Sequence, residues 1–153
     1  MATLGINSKL FYNSGNFATP TWLPLNNVRE LTVTSTWDEG DASTRASPVK
    51  MAEPTQLNLE IGGQMQADAS VGYLLLQTDY FTRALVDVMA LDGGSTTNTV
   101  EGVRFEAKVF SWTEDQGPGN VNYRQFSVKP CASANPPKSV IVSSGAPVFT
   151  SIS

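Results

Sequence analysis

Histidine is absent from this chain of 153 residues, and cysteine occurs once, at Cys131. Without histidine there are no histidine-based catalytic triads, no Cys–His dyads and no histidine-ligated metals. One cysteine cannot form an intrachain disulfide, which fits synthesis in a reducing compartment. Cys131 follows Pro130 and has no base nearby in the sequence, so an unreactive thiol is the simplest interpretation.

Long apolar runs and clusters of basic residues are missing too. No apolar run approaches the ~20 residues needed to cross a membrane, and the N-terminus lacks the pattern of a signal peptide. Ten basic residues against fourteen acidic ones give a net charge of −4. Nucleic-acid binding requires a patch of phosphate-neutralising cations, so we expect no specific binding of DNA. A mildly acidic surface still allows DNA to pass nearby without sticking.

Paired acids and glycine-rich turns are the remaining candidates for catalysis. Asp38-Glu39 and Glu114-Asp115 are pairs of the kind that a glycosidase uses, but adjacent acids in polar loops are more often solvated turn residues. Asp92-Gly93-Gly94 follows a strand pattern, yet no helix pattern comes after it, as a phosphate-binding loop would require. We therefore predict no catalytic residue, no cofactor and no metal site.

What the chain does contain is an alternation of polar and apolar residues that predicts strands. The pattern is clearest in Val28–Thr36 and Leu57–Ile61, each with one apolar face, as in half-buried antiparallel strands. Similar patterns occupy Lys9–Tyr12, Thr21–Leu25, Val86–Leu91, Val103–Trp112 and Val121–Pro130. At this length one domain can bury its own core.

One segment has the spacing of an amphipathic helix, from about Ala69 to Leu85, with Asp68 as its N-cap. Gly72 lies in its first turns, where glycine costs a helix ~1 kcal/mol. The stripe at spacings of three and four consists of Val71, Leu74, Leu75, Thr78, Phe81 and Leu85. Helix and strands together predict an α+β, mainly β fold: an antiparallel β-sandwich or open barrel with one flanking α-helix.

A polar arm, Trp37–Gln56, separates the two clearest strands and has neither a helix nor a strand pattern. Compact domains rarely keep a loop of about twenty residues without a use for it. The arm carries charges of both signs. We expect it to reach outside its own domain, and its candidate contact residues are Asp38, Glu39, Asp41, Arg45 and Lys50.

The strand Val103–Trp112 carries a row of charges, Arg104, Glu106 and Lys108, opposite its apolar face. In a monomer this row is simply the solvated side of a strand, which is the more common case. In an assembly it is a lumen wall or a subunit contact. After this strand and the next, residues 139–153 form a serine-rich C-terminal tail with one apolar cluster, Val140–Val142.

Several segments, taken in order, resemble the tail tube proteins of long-tailed bacteriophages and their prophages. The match covers most of residues 1–138, and the ordered set is more specific than any single motif. The segments are Met1–Gly5 (MATLG), Lys9–Asn13 (KLFYN), Ala18–Trp22 (ATPTW), Asn27–Thr32 (NVRELT), Gly40–Ser47 (GDASTRAS), Ala90–Gly93 (ALDG), Val128–Pro130 (VKP) and Ser133–Pro137 (SANPP).

The resemblance implies a single β-sandwich domain over residues 1–138, with a flanking helix and a long extended arm. Such subunits form hexameric rings that stack into a hollow tube for the genome and the tape-measure protein. The chain would then be a virion structural protein of the tail, synthesised in the host bacterial cytoplasm. Its partners would be its own copies and other tail proteins, with DNA passing through unbound and no membrane involved.

Two other readings of the sequence remain open. A lectin-like β-sandwich could use Trp22, Trp37 and Trp112 as stacking platforms for a sugar or another ligand, although tryptophan at strand ends is more often a core or interface anchor. The composition also allows a different virion component, such as a head decoration protein or a tail terminator.

Overall fold

Nine strands and one helix make up the described part of the chain, residues 8–115 and 122–152 of a computed structural model. The prediction of an α+β, mainly β fold is confirmed. The segment Met1–Gly5 and the first residue of the strand predicted at Val121 lie outside the described residues. The elements are β1 (Lys9–Asn13), β2 (Trp22–Pro24), β3 (Val28–Asp41), β4 (Ala52–Gln66), α1 (Val71–Thr82), β5 (Val86–Leu91), β6 (Glu101–Asp115), β7 (Tyr123–Pro130), β8 (Lys138–Ser143) and β9 (Ala146–Ser151).

All strand pairs are antiparallel, and the main sheet has the order β2-β1-β5-β6-β7-β4-β3. The long strand β6 holds this sheet together. One of its edges pairs with β5 along Gly102–Ala107. Its other edge pairs first with β8 along Glu101–Arg104 and then with β7 from Ala107 onward. The sheet curls into a half barrel around the main core.

The main core lies inside the curl. Alternate residues of β4, β5, β6 and β7 point into it, as the two-residue period predicts. Phe105 and Ala107 of β6 are almost completely buried, and so are Ile61 of β4 and Val128 of β7. The helix α1 adds Tyr73 and Leu76 to the same core.

A second core lies on the opposite face of β1 and β5. There Phe11, Met89 and Leu91 pack against Val140 and Val142 of β8. The C-terminal residues therefore form a hairpin that covers the body, where the sequence predicted a tail. Its turn, Ser144-Gly145, has φ angles of 53° and 76°, the left-handed pair that suits a two-residue hairpin turn. The apolar cluster predicted at Val140–Val142 is the part that anchors this hairpin.

The helix begins two residues later than predicted and ends earlier, spanning Val71–Thr82. Its N-cap is Ser70, whose hydroxyl accepts a hydrogen bond from the Tyr73 amide. Asp68 supports the turn before it by accepting from the Ser70 amide at 3.0 Å. That hydrogen bond holds the pKa of the Asp68 carboxyl below its usual range. Arg83 ends the helix in the left-handed conformation.

Gly72 is unfavourable for a helix, but it allows close packing between the helix and the preceding segment. A Cβ at this position would lie 2.1 Å from Cδ2 of Leu25, which is itself buried in the main core. Glycine therefore lets the first turn of α1 sit directly on the segment between β2 and β3. The ~1 kcal/mol that glycine costs the helix is offset by this close approach.

Candidate assembly interface

One face of the four strands β6, β7, β4 and β3 carries mainly hydroxyl and amide side chains. Ser111 lies opposite Ser127, and their hydroxyl oxygens are 2.9 Å apart. Thr36 lies opposite Asn58 in the same way. The described members of this polar face include Arg29, Thr32, Thr34, Thr36, Asn58, Glu60, Gln64, Gln66, Lys108, Ser111, Thr113, Tyr123, Gln125, Ser127 and Lys129. The other face of the same strands is the wall of the main core, so this sheet separates a hydrated surface from an apolar one.

Both outer edges of this four-stranded sheet are open within the described residues. β5 pairs with β6 only as far as the Val86–Ala107 pair, so that edge of β6 has no strand beside it over residues 108–113. β3 pairs with β4 on one side, and no described strand is hydrogen-bonded to its other edge, although β1 lies close to β3. Open edges expose rows of backbone N–H and C=O groups that accept a further strand.

The strand directions at these two edges are compatible with each other. Neighbouring strands run antiparallel from β6 through β7 and β4 to β3, so β3 runs opposite to β6. If the β6 edge of a second copy is placed beside β3, the two strands are antiparallel as well. Repeating that step extends one continuous antiparallel sheet from copy to copy.

The arm predicted as a loop over Trp37–Gln56 is mostly a two-stranded ribbon. β3 continues to Asp41 and β4 begins at Ala52, leaving residues 42–51 as the connection. β7 pairs with β4 only from Ile61 onward, so the ribbon extends beyond the body of the sheet. From Ile61 to Ala52 the reach is roughly 30 Å at about 3.3 Å per residue. The expected projection is therefore present, but it has a regular backbone.

The five candidate contact residues are all exposed on this ribbon or its connecting loop. Two of them also stabilise it from within. Asp38 accepts a hydrogen bond from Nδ2 of Asn58 at 2.8 Å, and Asp41 accepts one from the Ser43 amide at 2.8 Å. The second bond lowers the pKa of the Asp41 carboxyl. Glu39, Arg45 and Lys50 project from the same ribbon and loop, which presents charges of both signs at its end.

The row of charges on β6 does not form one solvated face. Arg104 and Glu106 are buried by their own chain, and only Lys108 is exposed. Glu106 accepts a hydrogen bond from Nδ2 of Asn135, in the loop after β7. Two of the three residues suggested as a lumen or subunit face are therefore covered within the monomer. Lys108 alone lies on the polar face, opposite Lys129.

Arg104 belongs to a buried ion pair that the sequence did not reveal. Its guanidinium contacts the Asp87 carboxylate at 2.6 Å, and the two side chains are 3% and 9% exposed. The guanidinium carbon lies 3.8 Å from the ring centre of Phe17 and 4.5 Å from that of Phe149. Trp22 lies on the same group at 4.9 Å. This cluster ties β5 and β6 to β9 and to the loop before β2.

The face of α1 that packs on the core is not the stripe predicted from spacing. Tyr73 and Leu76 are buried, whereas Val71, Leu74 and Phe81 of the predicted stripe are 67%, 48% and 68% exposed. Two apolar stripes run along this helix, and the one richer in aromatic contact packs inward: Tyr73 and Tyr80 both lie against Trp112. Of the predicted stripe, Leu75 packs partly buried against the core, whereas Val71, Leu74, Thr78 and Phe81 stay on the outside of the subunit.

The described ranges contain few side chains that could bind a metal or act as a nucleophile. No group of three or more Asp, Glu or Cys side chains there is placed to hold a metal ion. Burial raises the pKa of the Cys131 thiol, with a smaller opposing effect of Lys108. Among the same residues, no helix is both long and apolar enough to cross a membrane.

Comparison with known proteins finds resemblance in structure alone. No family model and no curated protein sequence matches the chain. Among solved structures, the SPP1 tail tube matches with a TM-score of 0.69 and 12% identity, over 84% of this chain and 75% of that one. The tail of an empty gene transfer agent particle matches with a TM-score of 0.71 and 9% identity, over 98% of this chain and 100% of the other.

The fold is that of a tail tube protein. A third structure with the same fold, at a TM-score of 0.55 and 12% identity, is the baseplate of the anti-feeding prophage. Two of these structures have a stated symmetry: C6 for the gene transfer agent tail and sixfold symmetrisation for the baseplate. All three neighbours are parts of multi-subunit tail assemblies.

Proposed function

We propose that this chain is the structural subunit of a phage-type tail tube. Six copies close into a ring, and the rings stack into a hollow conduit. The polar face of β6, β7, β4 and β3 lines the channel, and the arm contacts the next ring. The conduit holds a tape-measure protein and passes DNA, and the chain itself catalyses no reaction. In this proposal it resides in the virion tail after synthesis in the host bacterial cytoplasm.

The observation that carries the proposal is the pair of open edges with compatible direction. A head-to-tail contact that joins two different surfaces gives a ring when its rotation closes. Here β3 of each copy meets β6 of the next, so closure covers the open edge of β6 and the facing part of β3. The sixfold symmetry stated for two neighbours of the same fold supports six copies.

The polar face suits a channel wall. Most of its side chains are uncharged hydroxyls and amides, and the charged ones are scattered and include Arg29, Glu60, Lys108 and Lys129. Tight binding of a nucleic acid depends on many phosphate contacts from a cationic patch, which this face does not offer within the described residues. A translocating polyanion would therefore meet a hydrated surface that holds it weakly.

Ring formation and stacking are tested separately by electron microscopy. We expect the concentrated protein to show rings and tubes in negative stain. For stacking, residues 42–51 are replaced by Asn-Gly, which joins the last ribbon pair, Asp41 and Ala52, through a two-residue turn. We expect this variant to form rings but not tubes. Tubes of normal length would exclude a role of Arg45 and Lys50 in stacking, and a wild-type protein that stays monomeric at millimolar concentration would exclude the tube itself.

The sugar-binding alternative finds little support. Trp22 packs on Phe149 and on the Arg104 guanidinium, and Trp112 packs on Tyr73 and Tyr80. Of the three tryptophans, only Trp37 has an exposed ring. One exposed ring on an open strand is better suited to a protein interface, where tryptophan is enriched.

A further inference from the structure

Exposed apolar side chains are found at both open edges of the four-stranded sheet. At the β6 edge, Phe81, Leu85 and Phe110 are 68%, 44% and 55% exposed. We call these three residues the helix-edge cluster, because two of them belong to α1 and the segment after it. At the opposite edge, Val33 and Trp37 of β3 are 44% and 47% exposed. We call these two residues the β3 pair.

Val33 of the β3 pair stands at the level of the helix-edge cluster, and Trp37 lies further along the same edge. Val33 pairs with Ile61, Ile61 pairs with Val128, and Val128 pairs with Val109. Val33 is therefore level with Val109, which is the neighbour of Phe110. Trp37 lies four residues further along β3, roughly 13 Å away at about 3.3 Å per residue. In this register Trp37 lies about two residues beyond the level of the Val86–Ala107 pair, which follows Leu85 directly.

The β3 pair also lies on the same side of the sheet as α1, whereas Phe110 is the bulge residue at the edge itself, with its ring centre 5.8 Å from Nζ of Lys129. Ile61 points into the main core, so its partner Val33 faces the core side. Trp37 pairs with Leu57, which packs against the same core. The helix α1 covers that side too, through Tyr73 and Leu76. In a row of copies placed edge to edge, the β3 pair of one copy meets the helix-edge cluster of the next.

We propose that Val33 and Trp37 of one copy pack against Phe81, Leu85 and Phe110 of the adjacent copy in the ring. The inference rests on the proposed function and adds the side chains that hold neighbouring subunits together. Its occupant is a second copy of this chain, because both edges are open, their strand directions are compatible, and both carry exposed apolar side chains. The backbone edges supply hydrogen bonds, and Trp37 supplies the kind of aromatic anchor that dominates many interfaces.

Two single substitutions and their mixture test this contact. Trp37→Ser removes the anchor on β3, and Phe81→Ser removes the centre of the helix-edge cluster. Both side chains are exposed, so circular dichroism and thermal melting should show folded monomers. Each variant alone should form rings at least tenfold less readily than the wild type, as measured by analytical ultracentrifugation over a concentration series. Ile141→Ser is the matched control, because Ile141 is 53% exposed on β8, away from both edges.

Mixing the two variants gives the decisive result. Trp37→Ser retains an intact helix-edge cluster, and Phe81→Ser retains an intact β3 pair, so one normal contact forms between one copy of each. We expect dimers that contain one of each variant and no larger species. Normal rings from either variant alone, or a mixture that stays monomeric, would overturn the inference and leave the tube proposal standing. Loss of rings in the Ile141→Ser control would overturn it as well, whereas a wild-type chain without rings would remove the tube proposal itself.

Discussion

Replacing either partner of the Arg104–Asp87 pair should destabilise the subunit more than most other single substitutions. Two guanidinium nitrogens lie within 3.2 Å of the carboxylate, and Nη2 also donates to the Phe17 carbonyl at 2.9 Å. Nδ2 of Asn13 donates to the same carboxylate at 2.8 Å. Each charge is thus satisfied by several partners. Removal of one leaves the other buried and only partly compensated.

The magnitude follows from that burial. Breaking a buried ion pair by removing one partner costs about 3–5 kcal/mol, whereas exposed pairs are worth about 0–1 kcal/mol. With 3% and 9% exposed side chains, this pair belongs to the first class. We expect Asp87→Ala to lower the free energy of unfolding by about 3–5 kcal/mol. For a chain of this size that corresponds to a fall in Tm of roughly 10 °C.

The assay is a double-mutant cycle in denaturant, at concentrations low enough that assembly does not add to stability. Arg104→Met and Asp87→Leu are measured singly and together. We expect the double variant to be more stable than the sum of the single losses predicts, by about 1–3 kcal/mol. Arg104→Lys should fall between wild type and Arg104→Met, because lysine keeps the charge but loses the two-nitrogen contact and the stacking on Phe17. A cost below about 1 kcal/mol for Asp87→Ala, or strictly additive losses, would refute the reasoning.

Three further predictions concern the helix. Gly72→Ala should lower Tm by about 2–4 °C in thermal melting, because the clash with buried Leu25 outweighs the gain in helix propensity; a higher Tm would contradict the packing argument. Ser70→Ala should cost about 1 kcal/mol in denaturant unfolding through loss of the N-cap, with Ser70→Asp as the control that restores it. Burial raises the pKa of the Asp79 carboxyl above 3.8, although the Tyr12 hydroxyl, 2.5 Å away, opposes the shift. The carboxyl therefore favours the folded state below pH 3.8, and this contribution is lost as the pH rises through the raised pKa. The stability of Asp79→Asn relative to wild type should increase from acid to neutral pH, and a pH-independent difference would contradict the assignment.

Alternation along the sequence predicts a strand and its core face correctly when one face is buried and the other is in solvent. In β6 the alternation of Phe105, Ala107 and Val109 identified both the strand and its core face. The same rule treated Arg104 as solvated, because alternation cannot show that Asp87, from another strand, and Phe149, from the C-terminal hairpin, cover it. When a strand is buried on both faces, the residue pattern along that strand does not show which residues of other strands pair with its polar side chains.

The helix and the arm show two other limits of pattern reading. The spacing of three and four indicated a helix correctly, but Tyr73, Leu76 and Tyr80 have the same spacing as the stripe chosen. Periodicity gives the existence of a helix and leaves open which of two apolar stripes packs inward. The arm is a ribbon with both faces in solvent, so no apolar face marked Trp37–Asp41 or Ala52–Gln56 as strands. The length and charge of the arm predicted that it projects from the domain, but they did not predict its strand conformation.

The sheet from β6 to β3 has four antiparallel strands, so its two edge strands run in opposite directions. If neighbouring copies meet with opposite strand directions, each one must be oriented like the one before it, and none is inverted. A ring built in this way has two different rims, one of which carries every arm. A column of such rings then has a top and a bottom along its whole length, so the proteins that bind its two ends can be different without any further device in the subunit.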